Sequence, residues 1–342
     1  MTDSELTHTN YLSGDLDGST DVQLAPIKGE DVRRSLPAEF FQRRPYLFTR
    51  KLILAFLLIG GGVLAIQFAL TKTPTWYSVL IGCGGFVLCG LMYAHLIELQ
   101  HECLHCHVFR RPCLNRLAGV VAGAFMLISY SHYRYDHLRH HAYLGTHRNV
   151  EHFNYRFNGL NSIFGFLRAF FDLNRYITVG SLIACSWKTS EIEGVAKSAQ
   201  RHIKQEYRLY SLLLIIGGAL SYHFQTVLIV AAWWLPALIV AEGTHFLIEM
   251  PEHYGLNTQS AADVFENSRT IKTNWLVAWF VNGNHSHTAH HFHHGVPMCN
   301  LKRVHLLIEP RIKTTEKSYT RFFRDVISGK ITHRADTSCM TR

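Results

Sequence analysis

Two apolar blocks, Leu52 to Leu70 and Trp76 to Leu96, flank the turn Thr71-Lys72-Thr73-Pro74-Thr75. Each approaches the ~20 residues that an α-helix needs to cross a hydrocarbon core. A chain holding such blocks is committed to a membrane. Trp76 and Tyr77 would anchor the far interface, and Arg33, Arg34, Arg43, Arg44, Arg50 and Lys51 crowd the near one. Leu209 to Tyr222 and Thr226 to Ile248 form a second apolar pair around His223-Phe224-Gln225, with Arg201, Lys204 and Arg208 before it. The spacing predicts an all-α integral membrane protein: four spanning helices in two hairpins, with a cytosolic helical cap and both termini in the cytosol. The net charge of +9 then reads as positive-inside anchoring, not nucleic-acid binding.

The 342 residues divide into a flexible polar arm (1–45), a membrane domain (46–310) and a C-terminal cytosolic tail (311–342). No early apolar core marks a signal peptide. The eight cysteines show no disulfide spacing and read as reduced thiols, Cys103 and Cys106 included.

About three quarters of the 23 histidines fall within 95–153 and 245–294. Three clusters stand out: His101-x-x-x-His105, His137-x-x-His140-His141 and His287-x-x-His290-His291. Residues i and i+4 share a helical face, so each cluster aims several imidazoles at one spot. Imidazole is a nitrogen ligand for Zn, Fe, Cu and Ni, and roughly eight such ligands exceed the three or four of one zinc site. Two metals are the natural reading. His245, Glu249 and His253 also share a face, at the end of the fourth span. His95, His202, His223 and His305 read as core residues, whereas His132, His147, His152, His293 and His294 are either orienting donors or solvated.

Geometry constrains Leu114 to Tyr130. One crossing would leave the second cluster ~30 Å from the first. If the clusters share a site, this segment lies along the interface or re-enters without spanning. Residues 147–204 read as short helices at the membrane surface. Other metal chemistries fit less of the sequence. His101-Glu102-Cys103-Leu104-His105 satisfies the HExxH of membrane zinc proteases, with Glu102 as general base, but that leaves both HxxHH clusters unexplained. The two ExxH runs ending at His101 and His105 lie in one segment, unlike those of soluble di-iron bundles. A transporter would place its ligands within the spans.

The order HxxxH, HxxHH, HxxHH around two hairpins resembles the integral-membrane fatty acid desaturase and hydroxylase superfamily, over about residues 48–310. Supporting stretches are Asn267-Ser268-Arg269-Thr270, Asn274-Trp275, Asn282-Gly283-Asn284 and Glu252-His253-Tyr254-Gly255-Leu256, the last similar to a run in membrane alkane hydroxylases. The resemblance implies two non-haem irons held by His101, His105, His137, His140, His141, His253, His287, His290 and His291, with His245 the alternative to His253. It implies that Glu249 positions a metal-bound water, and that dioxygen and two external electrons remove hydrogen from an alkyl or acyl chain. Desaturation is favoured over hydroxylation of an alkyl or small specialised-metabolite substrate. With no haem, flavin or dinucleotide motif in the sequence, the electrons would come from a separate ferredoxin or cytochrome.

Overall fold

The computed structural model describes residues 36–149, 155, 157 and 159–332. Helices α1 (Pro45–Thr71) and α2 (Trp76–Leu104) form the first hairpin. Thr75 starts α2 as a capping box: its hydroxyl accepts from the Ser78 amide and the Ser78 hydroxyl accepts from the Thr75 amide. Small residues let the helices touch, as membrane helices do where lipid supplies no hydrophobic drive between them. A Cβ on Gly85 would lie 2.5 Å from the Gly62 carbonyl oxygen, and one on Gly90 would lie 2.4 Å from Val240 Cβ on the last span. The outward faces carry exposed Leu57, Leu64 and Leu80, and Trp76 stands 80% exposed at the predicted interface.

Helices α3 (Pro112–Gly123) and α4 (Tyr130–Tyr143) bend by 101° at their junction. Gln100 of α2 fills the break, donating to the carbonyls of Gly119 and Ile128. The bend returns the second histidine cluster to the first, meeting the condition set by the sequence. Short helices α5 (Ile163–Phe170) and α6 (Asn174–Ser186) follow, then α7 (Lys197–His223) and α8 (Val230–His253). In α8, Pro236 has no N–H to offer the Ala232 carbonyl four residues back. The helix widens into a π turn over Val230–Trp234, and the Tyr93 hydroxyl donates to that carbonyl instead.

Three helices are long and apolar enough to cross a membrane (Ala38–Thr71, Trp76–Leu104 and Val230–His253), or four if the bent α3–α4 pair is one span. The predicted third crossing, Leu209–Tyr222, is not among them. Its helix has 27 residues, but Lys197, Arg201, Lys204, Glu206 and Arg208 occupy the first half. The apolar remainder reaches only about 21 Å at 1.5 Å per residue.

Packed side chains extend beyond residues 46–310 at both ends. The arm is packed from Leu36: Leu36 and Phe40 are buried beside Phe292 and Val296, and Asn300 donates to the carbonyls of Phe40 and Gln42. Residues 1–35 lie outside the described residues. The tail is structural as well. Strand β1 (Thr270–Ile271) pairs in parallel with β2 (Thr315–Glu316), and Phe322 and Val326 are fully buried. Aromatic residues after 310 complete a core that the apolar blocks alone do not close. Helices α9 (Val264–Asn267), α10 (Trp275–Phe280), α11 (His287–Phe292), α12 (Leu301–Ile308) and α13 (Tyr319–Ile327) make up the rest of this cap.

Candidate metal centre

Helices α2 and α8 deliver their C-terminal ends to α4 and α11, and nine imidazoles converge there. Nitrogens of His101, His105, His137 and His290 all lie within 4.8 Å of one another, as do those of His140, His253, His287 and His291. His141 joins the first group, its Nε2 3.0 Å from Nε2 of both His137 and His290. On α4, His137 and His141 sit one turn apart and face the first group, while His140 points round the helix to the second. On α11 the division is reversed: His287 and His291 serve the second group and His290 the first. Each HxxHH helix therefore feeds both groups.

The spacing fits metal ligation. Imidazole–metal bonds of about 2.1 Å put ligands at right angles about 3.0 Å apart, and ligands at the tetrahedral angle about 3.4 Å apart. In the first group, Nε2 of His137 lies 2.8 Å from that of His101 and 2.9 Å from that of His105. In the second, the His287 nitrogen lies 3.0 Å from that of His253 and 2.9 Å from that of His291, with His140 3.2 and 3.3 Å from His253 and His291. These separations are those expected of nitrogens that share a metal ion.

Protonation points the same way. His253 Nδ1 lies 2.6 Å from the Asn267 carbonyl oxygen, His140 Nδ1 2.8 Å from Asn149 Oδ1, and His287 Nδ1 3.0 Å from Asn284 Oδ1. These oxygens accept, so each Nδ1 carries the proton and each Nε2 is left bare. Burial, reinforced by neighbouring imidazoles, holds His287, His290 and His291 well below the usual histidine range and keeps them neutral. Bare lone pairs packed at 3 Å repel unless a cation lies between them. The residues fit two metal ions.

Asn267, Arg269 and Asn284, singled out in the sequence without a mechanism, acquire one. Asn267 orients His253. Buried Arg269 donates to the carbonyls of Pro251 and Tyr254, a cation closing the C-terminal end of α8. Asn284 holds His287 and donates to Glu252 Oε1 at 2.5 Å.

His245 stands apart from both groups, its Nδ1 2.7 Å from the Tyr155 hydroxyl. His253, not His245, lies in the second group. Glu249 lies beside the centre, its Oε1 accepting from the Tyr133 hydroxyl at 3.3 Å and 3.9 Å from His245 Nε2. Glu102, the general base of the protease reading, turns away from the histidines: its Oε2 accepts from Asn282 Nδ2, and Asn282 Oδ1 in turn accepts from Lys51. Cys103 and Cys106 are free thiols. His95 is a buried core residue stacked on Trp279, His132 lies 3.1 Å from the Tyr207 hydroxyl, and His294 packs beside His141. His152 lies outside the described residues. Glu252, missed in the sequence, has its Oε2 3.2 Å from His287 Nε2; its position next to His253 was the available signal.

The fold and the centre together define a helical membrane protein with paired histidine sites for metal. Residues 74–323 match the model of the fatty acid desaturase family, and the chain belongs to that family. It is an oxidoreductase of the desaturase and hydroxylase type. No curated protein matches it.

Proposed function

We propose that this protein is a membrane di-iron oxidase that uses dioxygen and two external electrons to desaturate an alkyl or acyl chain. The observation carrying the reading is the pair of all-imidazole groups, side by side, at the ends of apolar helices in a chain of this family. The nine histidines named above would hold two irons, which when bound supply the oxidising power to remove hydrogen from an unactivated C–H bond.

The chain's own residues do the rest. Asn149, Asn267 and Asn284 keep the imidazole lone pairs directed inward, so the geometry is set before metal arrives. Tyr133 packs against His101 and His137, with ring centroids 6.3 and 5.6 Å away, and its hydroxyl holds Glu249 Oε1. That carboxylate would position a water, and take or return a proton beside the reacting carbon. Arg43, Arg44, Arg50 and Lys51 at the start of α1 set this end of the molecule in the cytosol by the positive-inside rule. The basic surface suits an acidic electron carrier, a ferredoxin or small cytochrome, docking from that side.

Product analysis tests the proposal. Expressed in a host with suitable reductases and supplied with acyl lipids, acyl thioesters or alkanes, the protein should give an oxygen-dependent product two hydrogens lighter than its substrate. A product heavier by one oxygen would assign hydroxylation to the same centre. No oxygen-dependent product from any of these classes would contradict the proposed chemistry.

A further inference from the structure

We infer that Glu252 supplies a fifth donor at the second metal position. This rests on the metal reading of the site and deepens it. Five imidazoles would serve the first position, and four imidazoles with one carboxylate the second, so the two ions would sit in sets of different charge.

The geometry is specific. Glu252 Oε2 lies 3.2 Å from His287 Nε2, inside the spread of separations among that group's own nitrogens. This contact is no ordinary hydrogen bond. The Glu252 carboxylate accepts from Asn284 Nδ2 at 2.5 Å, which turns the amide oxygen of Asn284 toward His287. His287 therefore gives its proton from Nδ1 and leaves Nε2 bare. A buried imidazole lone pair facing a carboxylate oxygen that keeps only slight exposure favours a cation between them. Asn284 orients both donors at once, holding His287 by Nδ1 and Glu252 by Oε1. The backbone is also fixed, because the Arg269 amide donates to the Glu252 carbonyl at 3.0 Å. Hard carboxylate oxygen beside imidazole is a donor set that suits iron.

Glu252→Gln separates ligation from positioning. The amide keeps an oxygen able to accept from Asn284, so a residue that merely orients His287 would survive the change. The measurement is iron titration with Mössbauer spectroscopy of the reduced, detergent-purified protein, its monodispersity confirming the fold. Wild type should show two doublets of equal area. In Glu252→Gln one doublet should stay and the other shift or vanish, with affinity for the second iron reduced at least tenfold; Glu252→Asp should recover part of it. Both doublets unchanged at full affinity in Glu252→Gln would overturn the role of Glu252 and leave the di-iron reading standing. A wild-type protein that takes up no iron would defeat that reading itself, and this inference with it.

Discussion

His290→Ala should leave the protein with roughly one iron in place of two and without measurable turnover. His290 comes from α11 but serves the group built mainly on α2 and α4, with its Nε2 3.0 Å from that of His141. It therefore joins the third cluster to the first two. Outer partners of metal ligands already cost 10- to 100-fold in affinity or activity when lost, and a direct ligand should cost more. His245→Ala is the control. His245 is just as buried but contacts Tyr155 and belongs to neither group, so its loss should leave two irons bound. Iron content by elemental analysis distinguishes the variants, and equal iron in both would remove His290 from the centre.

Glu206→Ala should destabilise the protein by about 1–3 kcal/mol, the range for leaving buried hydrogen-bonding groups without their partner. Glu206 of α7 is almost fully buried and takes four hydrogen bonds: from Arg116 Nε, the Ser129 hydroxyl, and the amide and hydroxyl of Ser131. Ser129 is the N-cap of α4, so the carboxylate sits at the positive end of the helix that carries His137, His140 and His141. Against a typical net stability of about 5–15 kcal/mol the loss is appreciable. The melting temperature in detergent should fall and iron occupancy fall with it. An unchanged melting temperature would show that α4 is seated by other contacts.

The histidines were legible because ligand geometry on a helix is a local property. Positions i, i+3 and i+4 are fixed by 3.6 residues per turn, whatever the tertiary fold. The division of labour was not legible: whether His140 or His141 serves the first group depends on where α11 docks, and no spacing encodes that. Glu252 was hidden for the same reason, since its oxygen meets His287 across a fold that brings distant segments together. The first hairpin could be read from length and hydropathy alone. α7 could not, because its charges are spent on Ser129, Ser131 and Arg116 and on loop carbonyls such as that of Ser186, which Arg208 holds. The role of residues after 310 escaped because a two-residue strand and one short helix leave almost no periodic signal.

Imidazoles from four separate helices would hold two oxidation-capable ions. The most direct measurement is total metal analysis of the full-length protein purified in detergent. The structure and family together predict about two irons per chain, with little zinc. One zinc and no iron per chain would contradict the account.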